Sequence, residues 1–162
     1  MDLGSIGSLK KLSIRPGSVF YMRFYPEDNV VPKFAGDGHR DKYFVILGKD
    51  SDGLYIALSL INSEINSNLK SRIGLYQHQI KQEDYSFLQG KDRFVDCYSI
   101  KEVSASRILE LGEYKGVLND GDLAKVIELV NTSPVISAAM LKQYSLFKSQ
   151  EYKSHPFEWL FF

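Results

Sequence analysis

Val19, Tyr21 and Arg23 alternate with Phe20, Met22 and Phe24, a period of two that predicts a strand buried heavily on at least one face. Pro16-Gly17 opens it and "PEDN" at 26–29 closes it. "KYFVILG" reads as a second strand and "LYIALSLIN" as a third, and the "KDSDG" turn between them makes a hairpin. "INSEINSNLKSRIG" is polar and loses period, so it reads as a loop, and "YQHQI" reads as a short strand. "QEDYSFLQGKD" is a turn or a single helical turn. "RFVDCYSIKEV" is one alternating strand, with Phe94, Asp96 and Tyr98 facing one way and Val95 and Cys97 the other. These elements predict a small antiparallel β-barrel of about five strands or more.

The period changes after about residue 105. "SASRILELGEYKGVL" reads as irregular or briefly helical. In "NDGDLAKVIELVNTS", Leu123, Val126, Ile127 and Val130 recur at helical spacing, with Asn119 or Asp120 as cap. A second helix is expected from Ser133 as cap and Pro134 as first residue, with Ile136, Met140, Tyr144 and Phe147 sharing a face. The organisation predicted is a barrel with its closing helix over 1–132 and a helical extension over 133–162, in one compact domain. The opening residues are Gly/Ser/Lys-rich and read as a loose arm. The tail "SHPFEWLFF" is apolar enough to need a docking surface, on the barrel or on a partner.

Composition narrows the function. Lys plus Arg is 20 and Asp plus Glu is 20, so the net charge is zero. Nucleic-acid binding through bulk charge is thereby excluded, and any such binding must use a local patch. The single cysteine, Cys97, permits no disulfide within the chain and reads as an inert buried thiol. The three histidines are scattered, with no Cys/His zinc spacing, so neither a metal nor a cofactor is expected. No stretch reaches membrane-span length or signal-peptide character, and a cytoplasmic protein with no membrane partner is expected.

In order and spacing, "PGSVFYMRF", "KYFVILG", "YIALSLINSEIN", "FVDCYSIKEVSASRIL" and "LGEYKGVLNDGDLAKVIELV" together resemble the MazF/PemK/Kid toxin family over roughly residues 15–132. The resemblance implies an SH3-like barrel followed by C-terminal helices. It also implies a homodimer that cleaves single-stranded RNA without metal, with an antitoxin protein as a possible partner. The family's Arg-Pro at the start of the second strand corresponds to Lys42-Tyr43, with Arg40 two residues earlier in the loop. Its Thr/Ser after the third strand corresponds to Asn62 or Ser63. On the closing strand, the Arg and Asp used by some members correspond to Asp96 and Tyr98.

Metal-free RNA cleavage requires a base for the 2′-hydroxyl, a cation or donors for the phosphorane charge, and an acid for the leaving oxygen. Arg40, Lys42, His39, Asn62 and Ser63 are the catalytic candidates, and Tyr43, Asp96 and Tyr98 the RNA-binding ones. The competing expectations are ordinary: a solvated loop histidine at His39, Arg40 and Lys42 paired with Asp37 or Asp41, turn capping by Asn62 and Ser63, and an exposed strand position for His78. If the chain is a toxin-like endoribonuclease, the 36–42 loop, Asn62/Ser63 and Asp96/Tyr98 converge on one groove. If it is a catalytically inactive barrel that binds protein or nucleic acid, they are dispersed or paired off. A third expectation is that the extra C-terminal length holds a toxin silent.

Overall fold

The computed structural model describes residues 11, 13–68 and 70–147. Seven strands form one antiparallel sheet: β1 (Ser18–Phe24), β2 (Arg40–Lys49), β3 (Tyr55–Asn62), β4 (Gln77–Ile80), β5 (Arg93–Asp96), β6 (Lys101–Ser104) and β7 (Glu113–Val117). Their order is β4-β5-β3-β2-β1-β7, with β6 also paired to β3. Among the described residues, four α-helices are assigned, α1 (Lys70–Ile73), α2 (Ala105–Leu111), α3 (Asp120–Thr132) and α4 (Ala138–Gln143). Two of them interrupt the strands, so the helices are not confined to the C-terminal part.

Cross-strand pairing places successive side chains on opposite faces, and here both faces are covered. One apolar cluster takes Phe20, Met22, Phe24, Phe44, Ile46, Ile56, Leu58 and Val103. The other takes Val19, Tyr43, Val45, Leu47, Ala57, Ile61, Val95 and Cys97, roofed by Val126 and Val130 of α3. This is why β2 is buried without a break from Lys42 to Gly48. The "KDSDG" turn forms as expected, with Asp50 Oδ1 accepting from Leu54 N at 2.9 Å and Gly53 at φ 69°.

"RFVDCYSIKEV" is two strands instead of one. Ile61 faces Val95 while Leu58 faces Lys101, so three residues are looped out between β5 and β6 along the same edge of β3. The Asp96 carboxylate drives the excursion by accepting from Tyr98 N at 2.9 Å and Ser99 Oγ at 3.4 Å, a local bond that competes with the ladder. The polar stretch read as loop contains α1, and the stretch read as irregular or briefly helical holds the helix α2 and, unexpectedly, the strand β7. Helix α3 begins at the expected cap, with Asn119 Oδ1 accepting from Asp122 N at 2.8 Å.

Ser133 does not start the last helix. It ends α3 and donates through Oγ to Tyr98 O, while Ser137 caps α4 by accepting from Met140 N at 3.1 Å. The segment after α3 packs on the chain's own sheet: Ile136, Leu141, Tyr144 and Leu146 are all buried in the cluster containing Leu47 and Ala57. Tyr144 Oη donates to Glu102 Oε1 at 2.6 Å, and Asn131 Nδ2 donates to Leu146 O at 2.6 Å. A Cβ at Gly48 would stand 2.5 Å from Tyr144 O. Gly48→Ala is therefore expected to cost about 1–3 kcal/mol by forcing this segment off β2. Urea melts that superimpose on wild type would contradict that contact.

Arg107 of α2 holds the loop after β1, donating to both Asp28 oxygens at 2.6 and 2.8 Å and to Arg23 O at 3.1 Å. The Arg107 guanidinium beside it holds the Asp28 carboxyl below its usual value. A carboxylate whose folded-state value is depressed stabilises the fold above its unfolded value and loses that contribution as pH falls through the folded one. Asp28→Asn is expected to lower Tm at pH 7 and to narrow the gap to wild type as pH drops below about 4. A gap that stays constant from pH 7 to pH 2.5 would show that the ion pair is not its source. The chain's apolar tail and the residues before Lys11 lie outside the described residues, and among the described residues no helix is long and apolar enough to cross a membrane.

Candidate functional site

The N-terminal end of β2 projects into two adjoining grooves. The larger, of about 720 Å³, lies on the face of the Phe44 cluster and brings together Arg40, Lys42, Asn62, Ser63, Asp96 and Lys101. The smaller, of about 430 Å³, has Tyr21, Tyr43, Arg93 and Lys115 in its lining and shares Arg40, Lys42 and Ser63 with the first. Alternation explains why Tyr43 reaches only the smaller groove, while Lys42, its neighbour at the strand end, borders both.

Lys42 is the unusual residue. It is 7% exposed and continues the row of Phe44 and Ile46, where the strand pattern calls for an apolar side chain. Its Nζ donates to Asn62 Oδ1. Burial pushes the ammonium down to about 8, the positive charges of Arg40 and Arg93 push it the same way, and the Asp96 carboxylate pulls against them. A lysine so placed exchanges its proton near neutral pH, which an exposed lysine does not. Arg40 lies beside it with a single long bond, Nη1 to Val31 O at 3.4 Å. Of the two anions expected to pair with these cations, Asp37 and Asp41, the second is engaged elsewhere, since Asp41 accepts from Arg23 Nε at 3.1 Å.

Asp96 is held rather than free. Beside its two local bonds it accepts from Gln77 Nε2 at 2.9 Å, so it is fixed as a negative charge near Lys42. Lys101 Nζ donates to Asn29 O at 3.0 Å and supplies a third cation to the larger groove.

Of the residues singled out from sequence, Arg40, Lys42, Asn62, Ser63 and Asp96 meet in the larger groove, and Tyr43 lines the smaller one. His39 lines neither; its ring stands edge-on to Tyr25 at 6.5 Å. Tyr98 also lines neither, because the excursion after Asp96 carries it onto Tyr76, 5.6 Å between ring centres. His78 is not an exposed strand residue: its Nε2 lies 2.7 Å from Asp122 Oδ1, and Tyr85 Oη donates to the other carboxylate oxygen. That cluster locks α3 to β4. Cys97 is fully buried with its thiol pushed up by burial, as an inert core thiol should be.

Arg93 and Lys101 were not visible as site residues. Both open short strands, and only the three-residue excursion between them aligns those strands so that each reaches a groove beside Lys42. Among the described residues, no group of three or more His, Cys, Asp or Glu is placed to hold a metal ion. Set against family models and against curated proteins, the chain matches none.

Proposed function

We propose that this protein is a metal-independent endoribonuclease of the MazF/PemK/Kid type, an SH3-like barrel acting on single-stranded RNA. The observation that carries the reading is the buried Lys42, titrating near 8 between Arg40 and Asn62 on the wall of an open groove. In its neutral form Nζ takes the proton of a 2′-hydroxyl as that oxygen attacks phosphorus. Arg40 faces the negative charge that develops on the phosphoryl oxygens, and Asn62 and Ser63 offer N–H and O–H donors to the same oxygens. Lys101 is the remaining N–H donor for the leaving 5′-oxygen. Burial sets the proton affinity of Lys42 near the working pH, and the Asp96 carboxylate opposes the shift.

The chemistry is tested with purified protein, a single-stranded RNA and EDTA. Cleavage that persists in EDTA, leaves 2′,3′-cyclic phosphate ends and stops at a 2′-deoxy substitution supports the reading. Binding without cleavage would leave the alternative function, a catalytically inactive nucleic-acid-binding barrel. Homodimerisation and an antitoxin partner follow from the same resemblance and, with the cytoplasmic residence expected from the sequence, belong to the proposal.

A further inference from the structure

The smaller groove carries chemistry that the cleavage step does not use. The Tyr21 and Tyr43 rings lie 4.7 Å apart between centres, tilted 48° to each other, on the wall of this groove. The Arg93 guanidinium lies 5.1 Å from the Tyr43 ring, and its Nε is buried without a hydrogen-bond partner. The Lys115 ammonium stands 5.8 Å from the Tyr21 ring and is paired with Glu113 at 2.7 Å. An aromatic pair flanked by two cations accepts a flat, electron-rich ring and an anion side by side, which is what a nucleotide presents. The rest of the Arg93 guanidinium lines the groove beside Tyr43, where a phosphate can meet its charge. Both grooves share Arg40, Lys42 and Ser63, so one strand can cross from one to the other over the end of β2.

We propose that the Tyr21/Tyr43/Arg93/Lys115 groove is a nucleotide subsite next to the cleavage groove, holding one base on Tyr21 and one phosphate on Arg93. This deepens the ribonuclease reading by assigning the single strand a second contact beyond the reacting phosphate. The subsite recognises single-stranded RNA through a ring face and a phosphate. A duplex hides its base faces and fails the first requirement, and an acidic peptide has charge alone.

The test is direct binding, independent of turnover. Fluorescence anisotropy with a labelled single-stranded RNA octamer is measured in the Lys42→Met background, so the ligand stays intact, for Arg93→Gln, Tyr21→Leu and Lys115→Gln. Each is expected to weaken the octamer by about 10- to 100-fold, the range for losing a stacked base or a charged phosphate contact. Arg93→Gln should also reduce the salt slope by about one, and Tyr21→Leu should leave it unchanged. Circular dichroism melts identify any variant that fails to fold, and Lys115→Gln, at the groove rim, then decides. Octamer affinity unchanged in the folded variants overturns the subsite. So does equal binding of duplex RNA or of an acidic peptide of the same charge. If the octamer binds as described but native protein never cuts RNA, the nuclease reading fails and the subsite stands. If RNA is cut and the variants bind normally, only the subsite fails.

Discussion

Lys42→Met is expected to abolish cleavage and leave the protein at least as stable as wild type. The two effects share one cause. A Lys buried to 7% exposure and lowered from 10.5 to about 8 is held in its less favoured state throughout the acid and neutral range. For this base the folded state binds fewer protons than the unfolded state between pH 8 and 10.5, so stability rises with pH across that window. Below pH 8 the destabilisation is fully present and on the order of 3 kcal/mol. Methionine keeps the length, fills the space beside Phe44 and removes the charge. Asn62 loses a donor but is only half-buried, so water can replace it. Tm should therefore hold or rise by several degrees at pH 7, and the gain should vanish near pH 10.5, where wild-type Lys42 is also neutral. Cleavage should fall by about 10²- to 10⁴-fold, the range for loss of a general base. In wild type kcat/KM should climb about tenfold per pH unit below 8 and level above it. Lys42→Arg separates charge from proton transfer: it keeps the cation and cannot release a proton, so it should be as inactive as Lys42→Met. An active Lys42→Arg would make the residue an electrostatic clamp, and a clear loss of Tm in Lys42→Met would make it structural.

The strands β1 to β3 were legible because each is a run with a period of two or an unbroken apolar core, bounded by Gly, Pro or Asp. The convergence of Arg40, Lys42, Asn62 and Ser63 followed from the hairpin, since pairing Tyr43 with Ile61 sets Lys42 beside Asn62 whatever the rest of the chain does. Beyond that point local pattern failed for specific reasons. Asp96 bonds its own backbone neighbours and breaks an alternation that runs correctly through Cys97, and this displaces Tyr98 while admitting Lys101. Sequence placed Lys42 among surface cations because its burial depends on cross-strand and loop neighbours, Asn62 of β3 and Leu60, Val30 and Ile73 around the same groove, which a local pattern does not show. His78 needed Asp122, 44 positions on, to become a structural residue. Ser133 and Ser137 are equally good caps by composition. The choice between them is made by the carbonyl of Tyr98, a contact with no sequence signature.

A chain ending at Thr132 is expected to lose cooperative folding rather than gain activity. The extension covers the Leu47 face of the sheet with Ile136, Leu141, Tyr144 and Leu146, all less than one-tenth exposed. Burying each such side chain contributes roughly 1.5–3 kcal/mol, so the four together rival the whole stability of a typical domain, about 5–15 kcal/mol. The contact also sits in the wrong place for a plug. Tyr144 packs at Gly48, six residues along β2 from Lys42, and at about 3.3 Å per residue that is some 20 Å from the groove. Single substitutions grade the effect. Tyr144→Phe removes only the bond to Glu102 and should cost about 1 kcal/mol, while Tyr144→Ala empties the site and should cost about 3–5 kcal/mol. In each folded variant, kcat at the far end of β2 should stay within twofold of wild type. A truncated chain that melts like wild type and cuts RNA faster would instead identify the extension as an inhibitory element. Loss of the melting transition, with Tyr144→Ala partway towards it, identifies it as part of the core.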